Sequence, residues 1–153
     1  MKYFSCIILL LFCSLAFNMT VQASGNRYVG SKQCRGCHEN EYDTYTKYAR
    51  KATSFESIMV MKPKLTREEF ETCFECHTTG YGKKGGFISP GETPDLKNAG
   101  CEVCHGPGSR HIELDGDIDA IKHNLVLDDC TKCHNKDRIK AFGFKPLLFG
   151  GAH

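Results

Sequence analysis

Tryptophan is absent from this 153-residue chain, and aliphatic residues are modest in number between long polar stretches. A polypeptide of that make-up would struggle to build a protein-only core, so something besides side chains is expected to fill the interior. Strand signals are scarce too, which argues against a sheet and leaves short helices and loops. Neither sign of charge dominates, since 20 Lys and Arg stand against 18 Asp and Glu. That balance gives no footprint for a nucleic-acid partner. Beyond the first 23 residues no apolar run reaches the about 20 residues that a bilayer requires, so no stable membrane span is expected there.

The N-terminus is the exception. Lys2 supplies a positive start, residues 4–17 an almost unbroken apolar stretch, and Val21-Gln22-Ala23 a small-residue cleavage site. This is the layout of a secretory signal peptide, too short and wrongly flanked for a stable span. A lipoprotein cysteine at Cys13 would need a small residue before it, and Phe12 stands there. The expected organisation is a signal peptide at 1–23 and one domain at 24–153, exported to the periplasm. An extracellular or outer-surface location is the alternative.

Two of the ten cysteines fall in the leader. The others, Cys34, Cys37, Cys73, Cys76, Cys101, Cys104, Cys130 and Cys133, form four C-x-x-C pairs. Each pair is followed at once by a histidine: His38, His77, His105 and His134. C-x-x-C-H is the attachment signature of c-type haem. Two thiols at that spacing add to the two vinyl groups of one porphyrin edge, and the next residue brings an imidazole to the iron as proximal ligand. Structural zinc would use the thiols but gives no reason for a histidine after every pair. Disulfides suit an exported chain but leave the histidines to coincidence. A thioredoxin-like site needs one C-x-x-C near a βαβ pattern, not four without one. Four covalent haem c groups, with their iron, are therefore the expected cofactors, and their macrocycles the expected core. Their propionates move the charge of the chain without Lys2 from about +1 to roughly −3 when oxidised.

Between the motifs, residues 39–58 carry Tyr42, Tyr45, Tyr48 and Ala49 at helical spacing, which predicts a helix with those aromatics packed inward. Thr66-Arg67-Glu68-Glu69 is a capping-box pattern that opens a short helix into Cys73. Residues 78–100 are rich in glycine and proline and read as a long surface loop. One short helix is expected within 114–129. The fold class is thus mainly α with long loops, a compact multihaem arrangement of short helices wrapped around four haems.

Of the seven histidines, His111, His123 and His153 are not proximal. Haems with two histidine ligands recruit the second from elsewhere in the chain, so these three are the candidate distal ligands. His111 follows His105 across a Gly-Pro-Gly turn too short to reach back to the same haem, and can serve a neighbouring one. A surface or capping role is the alternative for each. Three spare histidines cannot fill four sites; Met59 and Met61 are possible sulfur ligands but more often packing residues.

The stretches YVGSKQCRGCH, CFECHTTGYG and GCEVCHGPGSRH resemble the tetrahaem cytochrome c-554 family of bacterial electron carriers, over nearly all of the chain after the leader. The resemblance implies a mostly helical fold with haems in stacked and perpendicular pairs. It implies that His111 ligates the first haem, that His153 serves the third, and that the second haem is five-coordinate. The family places the fourth haem's distal histidine on the helix after the first motif, where this chain has Arg50-Lys51-Ala52-Thr53 instead. His123 is a possible replacement that the family pattern does not predict.

A globule of about 130 residues has a radius of gyration of about 14 Å, so four macrocycles inside it must lie close together. The expected function is electron transfer between respiratory redox partners (donor and acceptor cytochromes or oxidoreductases), with mostly bis-histidine irons and no catalytic residue. Two other readings stand beside it: a small reductase of a nitrogen or sulfur oxide at an open haem, and a subunit of an extracellular haem filament.

Overall fold

The computed structural model describes residues 25–137. The expected leader and the tail that holds His153 lie outside the described residues. Among the described residues there is no strand. Short helices follow one another along the chain: α1 (Ser31–Cys34), α2 (Glu39–Tyr48), α3 (Ser54–Met59), α4 (Arg67–Glu71), α5 (Phe74–His77), α6 (Cys101–His105), α7 (Ser109–Glu113) and α8 (Leu127–Thr131). Single 3₁₀ turns occur at Arg50–Thr53, Lys62–Lys64, Pro94–Leu96 and Ile118–Ala120.

Local chemistry explains the helix boundaries. In α2, Glu39 and Glu41 stand in the first turn and Lys47 in the last, so the charges complement the helix dipole. The capping box at Thr66 forms as the sequence predicts. The Glu69 amide donates to Thr66 Oγ1 (3.2 Å), and the Thr66 amide donates to Glu69 Oε2 (2.8 Å). The expected helix within 114–129 is a 3₁₀ turn, with α8 beginning only two residues before the end of that stretch.

The tyrosine stripe packs only in part. Tyr45 is buried and its hydroxyl donates to the Ala99 carbonyl. Tyr48 is 69% exposed beneath the Lys47 ammonium. Met59 and Met61 are exposed as well, so neither is the packing residue that the sequence suggested.

Two further expectations are corrected. A polypeptide core does exist: Phe55, Phe70, Phe74 and Phe87 join Ile58 and Leu96 in one buried cluster. Phe74 lies at its centre, 5.2 Å edge-on from both Phe70 and Tyr81 and 5.3 Å from Phe87. Such edge-to-face pairs add to the free energy of burial. Residues 78–100, moreover, are a surface loop only in part, at 82–85 and 90–92. Thr78, Thr79, Phe87, Leu96 and Ala99 are all buried. The Thr79 amide donates to the Leu96 carbonyl, and the Phe87 amide to the Thr79 carbonyl (both 2.9 Å). Some of the glycines there permit close approach: a Cβ on Gly86 would stand 1.7 Å from the Gly80 carbonyl oxygen, while Gly82, Gly85 and Gly91 are open.

Truncating the centre of the aromatic cluster should therefore be costly. Phe74→Ala is expected to lower the stability of the haem-loaded protein by about 3–5 kcal/mol. Val60→Ala, at a residue 75% exposed, should change it by less than about 0.5 kcal/mol. Denaturant midpoints of the two variants check the contrast.

Candidate functional site: four C-x-x-C-H turns

Each motif is a single helical turn. In the first, the Cys34 carbonyl accepts from the amides of Cys37 (3.2 Å) and His38 (2.9 Å). Cys73 does the same for Cys76 and His77, and Cys130 for Cys133 and His134. The third motif is α6 itself. All four turns thus place the first thiol and the histidine one helical turn apart, on one side, with the second thiol between them. None of the eight cysteines is in a disulfide. Among the described residues no three His, Cys, Asp or Glu side chains converge on a metal-sized point. No four of these thiols converge as a four-thiolate zinc site would require.

The third turn is the hub. Cys34 of the first turn lies within hydrogen-bond reach of Cys101. A hydrogen bond from Cys34 holds the Cys101 thiol below its ordinary value, helped by Ser31; the same bond, with burial, pushes Cys34 up. Ser31 Oγ also accepts from the Cys101 amide (3.0 Å). Cys104 faces the other way. Burial raises its thiol, Lys51 opposes the rise, and Cys130 and Asp129 of the fourth turn add to it. Thr79, two residues past His77, joins the second turn to the same place: its Oγ1 accepts from the Gly100 amide (2.9 Å) and donates to the Asn98 carbonyl (2.7 Å).

The histidines share a second pattern. Nδ1 of His77 donates to the Ser54 carbonyl (2.9 Å), Nδ1 of His105 to the Lys122 carbonyl (2.7 Å) and Nδ1 of His111 to the Asp117 carbonyl (2.8 Å). An Nδ1 proton committed to a carbonyl puts the lone pair on Nε2 and fixes the ring, as is usual for a metal-ligating histidine. The turn that brings Asp117 under His111 needs left-handed backbone at Asp115 (φ 54°) and Gly116 (φ 88°). Lys122 ties the third turn to the fourth through its ammonium, 2.5 Å from Asp129 Oδ2.

His111 is brought opposite His38. Their ring centroids are 6.2 Å apart and their planes differ by 22°. That is too far for face-to-face contact, which needs about 3.5–4 Å between carbon atoms. It suits one metal between two nitrogens, because two bonds of about 2 Å and two ring radii of roughly 1 Å make about 6 Å. His123 is not brought to any motif in this way; it is exposed, with Nε2 2.9 Å from the Asn124 amide nitrogen. An open cleft of about 430 Å³ beside His105 is lined by Gly106, Pro107 and Lys122, among others. The donor set, the thiol pairing and the fixed imidazoles fit haem c.

Sequence reasoning missed two residues of this site. Ser54 is buried; its Oγ donates to the His77 carbonyl and accepts from the Ala99 amide, both at 2.9 Å. Glu102, inside the third motif, is 2% exposed. Its carboxylate accepts from the amides of Val29, Gly30 (2.8 Å) and Gly108 (2.7 Å). The only signal for Glu102 was an acidic residue at a motif position where the other three turns have Arg35, Phe74 and Thr131.

Comparison with known proteins agrees with this chemistry. The family model for cytochrome c554 and c-prime matches residues 33–106. Cytochrome c-554 of Nitrosomonas europaea is 32% identical over 95 residues, an alignment covering 53% of this chain and 39% of that protein. The chain therefore spans well under two thirds of the curated relative's length. The solved structure of the reduced state of cytochrome c554 from the same organism superposes with a TM-score of 0.53 at 26% identity. That match covers 71% of this chain and 65% of the other.

Removing the Ser54 hydroxyl should strand the Ala99 amide in the interior. Ser54→Ala is expected to cost about 1–3 kcal/mol, the penalty for a buried polar group without a partner. The denaturant midpoint at unchanged haem content measures it, and an unshifted midpoint would deny Ser54 its bridging role.

Proposed function

We propose that the chain, similar to cytochrome c-554 across three of its four motifs, is an electron carrier of that family with four covalent haem c groups. Haem c supplies one-electron chemistry at its iron. Cys34 and Cys37, Cys73 and Cys76, Cys101 and Cys104, and Cys130 and Cys133 would hold the four groups. His38, His77, His105 and His134 would be the proximal ligands. His111 would be the distal ligand paired with His38, as the resemblance also implies.

The His38–His111 interval of 6.2 Å is the observation that carries this reading. Two imidazoles on one iron leave no coordination site for a substrate, so that centre can exchange electrons and little else. Contact of the third turn with the first and fourth keeps the attachment points close, which electron transfer rewards and a single catalytic pocket does not require. His153 remains the candidate distal ligand for the third group and lies outside the described residues. His123 is diverted to Asn124, so we propose that at least one iron lacks a strong histidine ligand on its sixth side. Efficient turnover at such an iron would need donors and a proton source beside it.

The proposed setting is the periplasm, reached through the 1–23 leader, with donor and acceptor cytochromes or oxidoreductases as partners. Among the described residues no helix is long and apolar enough to cross a membrane.

Intact mass after acid-acetone extraction should show four haems retained on a chain beginning near Ser24; fewer would overturn the count. His111→Ala should convert one low-spin ferric iron to high spin at unchanged haem content, as read by electron paramagnetic resonance. The unaltered protein should already show a high-spin fraction. Reduction of nitrite, hydroxylamine or nitric oxide at hundreds of turnovers per second would replace the carrier reading with the enzyme reading.

A further inference from the structure

We infer that Glu102 is a positioning residue for an iron centre other than the one its own motif serves: it sets His111 opposite His38. The inference rests on the proposed pairing of those two histidines.

Glu102 lies between Cys101 and Cys104, and its side chain is buried. Oε1 accepts from the amides of Val29 (3.0 Å) and Gly108 (2.7 Å). Oε2 accepts from Val29 (3.1 Å) and Gly30 (2.8 Å). Residues 29 and 30 lead directly into α1 and the first turn, which ends at His38. Gly108 leads directly into α7, which carries His111 in its middle. One carboxylate therefore fixes the starting points of both histidine-bearing turns. Ser109, buried beside it, adds a parallel tie: its Oγ accepts from the Arg27 amide (2.8 Å).

Every contact to Glu102 is accepted, and among the described residues no cation pairs with it. A carboxylate has acceptor sites enough for three amides on two segments. A carboxamide does not, because its NH₂ end would meet one set of N–H donors head-on. An aspartate keeps both oxygens but is one methylene short of spanning the two segments.

The experiment compares ferric spin states in the haem-loaded Glu102→Gln, Glu102→Asp, Glu75→Gln and His111→Ala proteins. Glu75 occupies the second motif and is exposed, so its variant should match the parent. Glu102→Gln should lose the same low-spin iron as His111→Ala, with the covalent haem count unchanged. Added imidazole should restore that low-spin signal in both variants, and a helical circular dichroism matching the parent separates a lost ligand from general unfolding. Glu102→Asp should give a partial loss, and it carries the test where Glu102→Gln yields no loaded protein. If His111→Ala alone shifts the spectrum while both Glu102 variants stay low-spin, the positioning role is overturned. If His111→Ala also leaves every iron low-spin, the histidine pairing fails first and takes the inference with it.

Discussion

One buried carboxylate holds this fold in register. Glu102 meets the amides of Val29, Gly30 and Gly108, and so joins the beginning of the described chain, the third C-x-x-C-H turn and the Gly-Pro-Gly turn at a single point. Burying such a group without its donors would be expensive, and apolar packing could not replace its directionality. Short helices make little contact with one another, so polar ties of this kind decide which turn faces which. Ser54 and Thr79 act in the same way around the second turn, and Lys122 between the third and fourth.

The interior is shared between two kinds of material. Phe55, Phe70, Phe74 and Phe87 form a conventional aromatic cluster beneath α3 to α5. The other motifs have no comparable cluster among the described residues, and large apolar side chains there, such as Ile112, Ile118 and Leu127, stand exposed on the bare polypeptide. Planar macrocycles held by thioethers suit those surfaces. The second turn, seated on the phenylalanines, is thus the part whose shape depends least on its cofactor.

Much of the chemistry was legible in the sequence because it is local. A C-x-x-C-H turn needs only five consecutive residues, and a capping box only four, so Thr66 and all four motifs could be read directly. Helix content followed from the scarcity of strand signals. Residues 78–100 were misread in part because glycine signals two different things, exposure at a turn and close passage of backbone against backbone; Gly82 is the first and Gly86 against Gly80 the second. Tyr48 was misread because helical spacing says which residues share a face but not how wide the buried part of that face is. Glu102 and Ser54 could not be read at all. Their partners lie 72 and 73 residues away in one case and 23 and 45 in the other, and no local pattern encodes such a pairing.

The long reach of those contacts also orders events in time. The Arg27 guanidinium meets Glu113, 86 residues on, and the Asn26 side chain accepts from the Arg110 amide, 84 residues on. Loop-closure entropy rises only slowly with length, so these distant partners are affordable once they exist. Until they exist, the ties from Asn26 and Arg27 to α7 are missing. A chain emerging from its N-terminus must therefore present Cys34, Cys37 and His38 on an open segment while some seventy residues follow. The first thiol pair is open to whatever machinery loads it before the third motif arrives. Topology thus keeps the earliest attachment sites accessible for the longest interval.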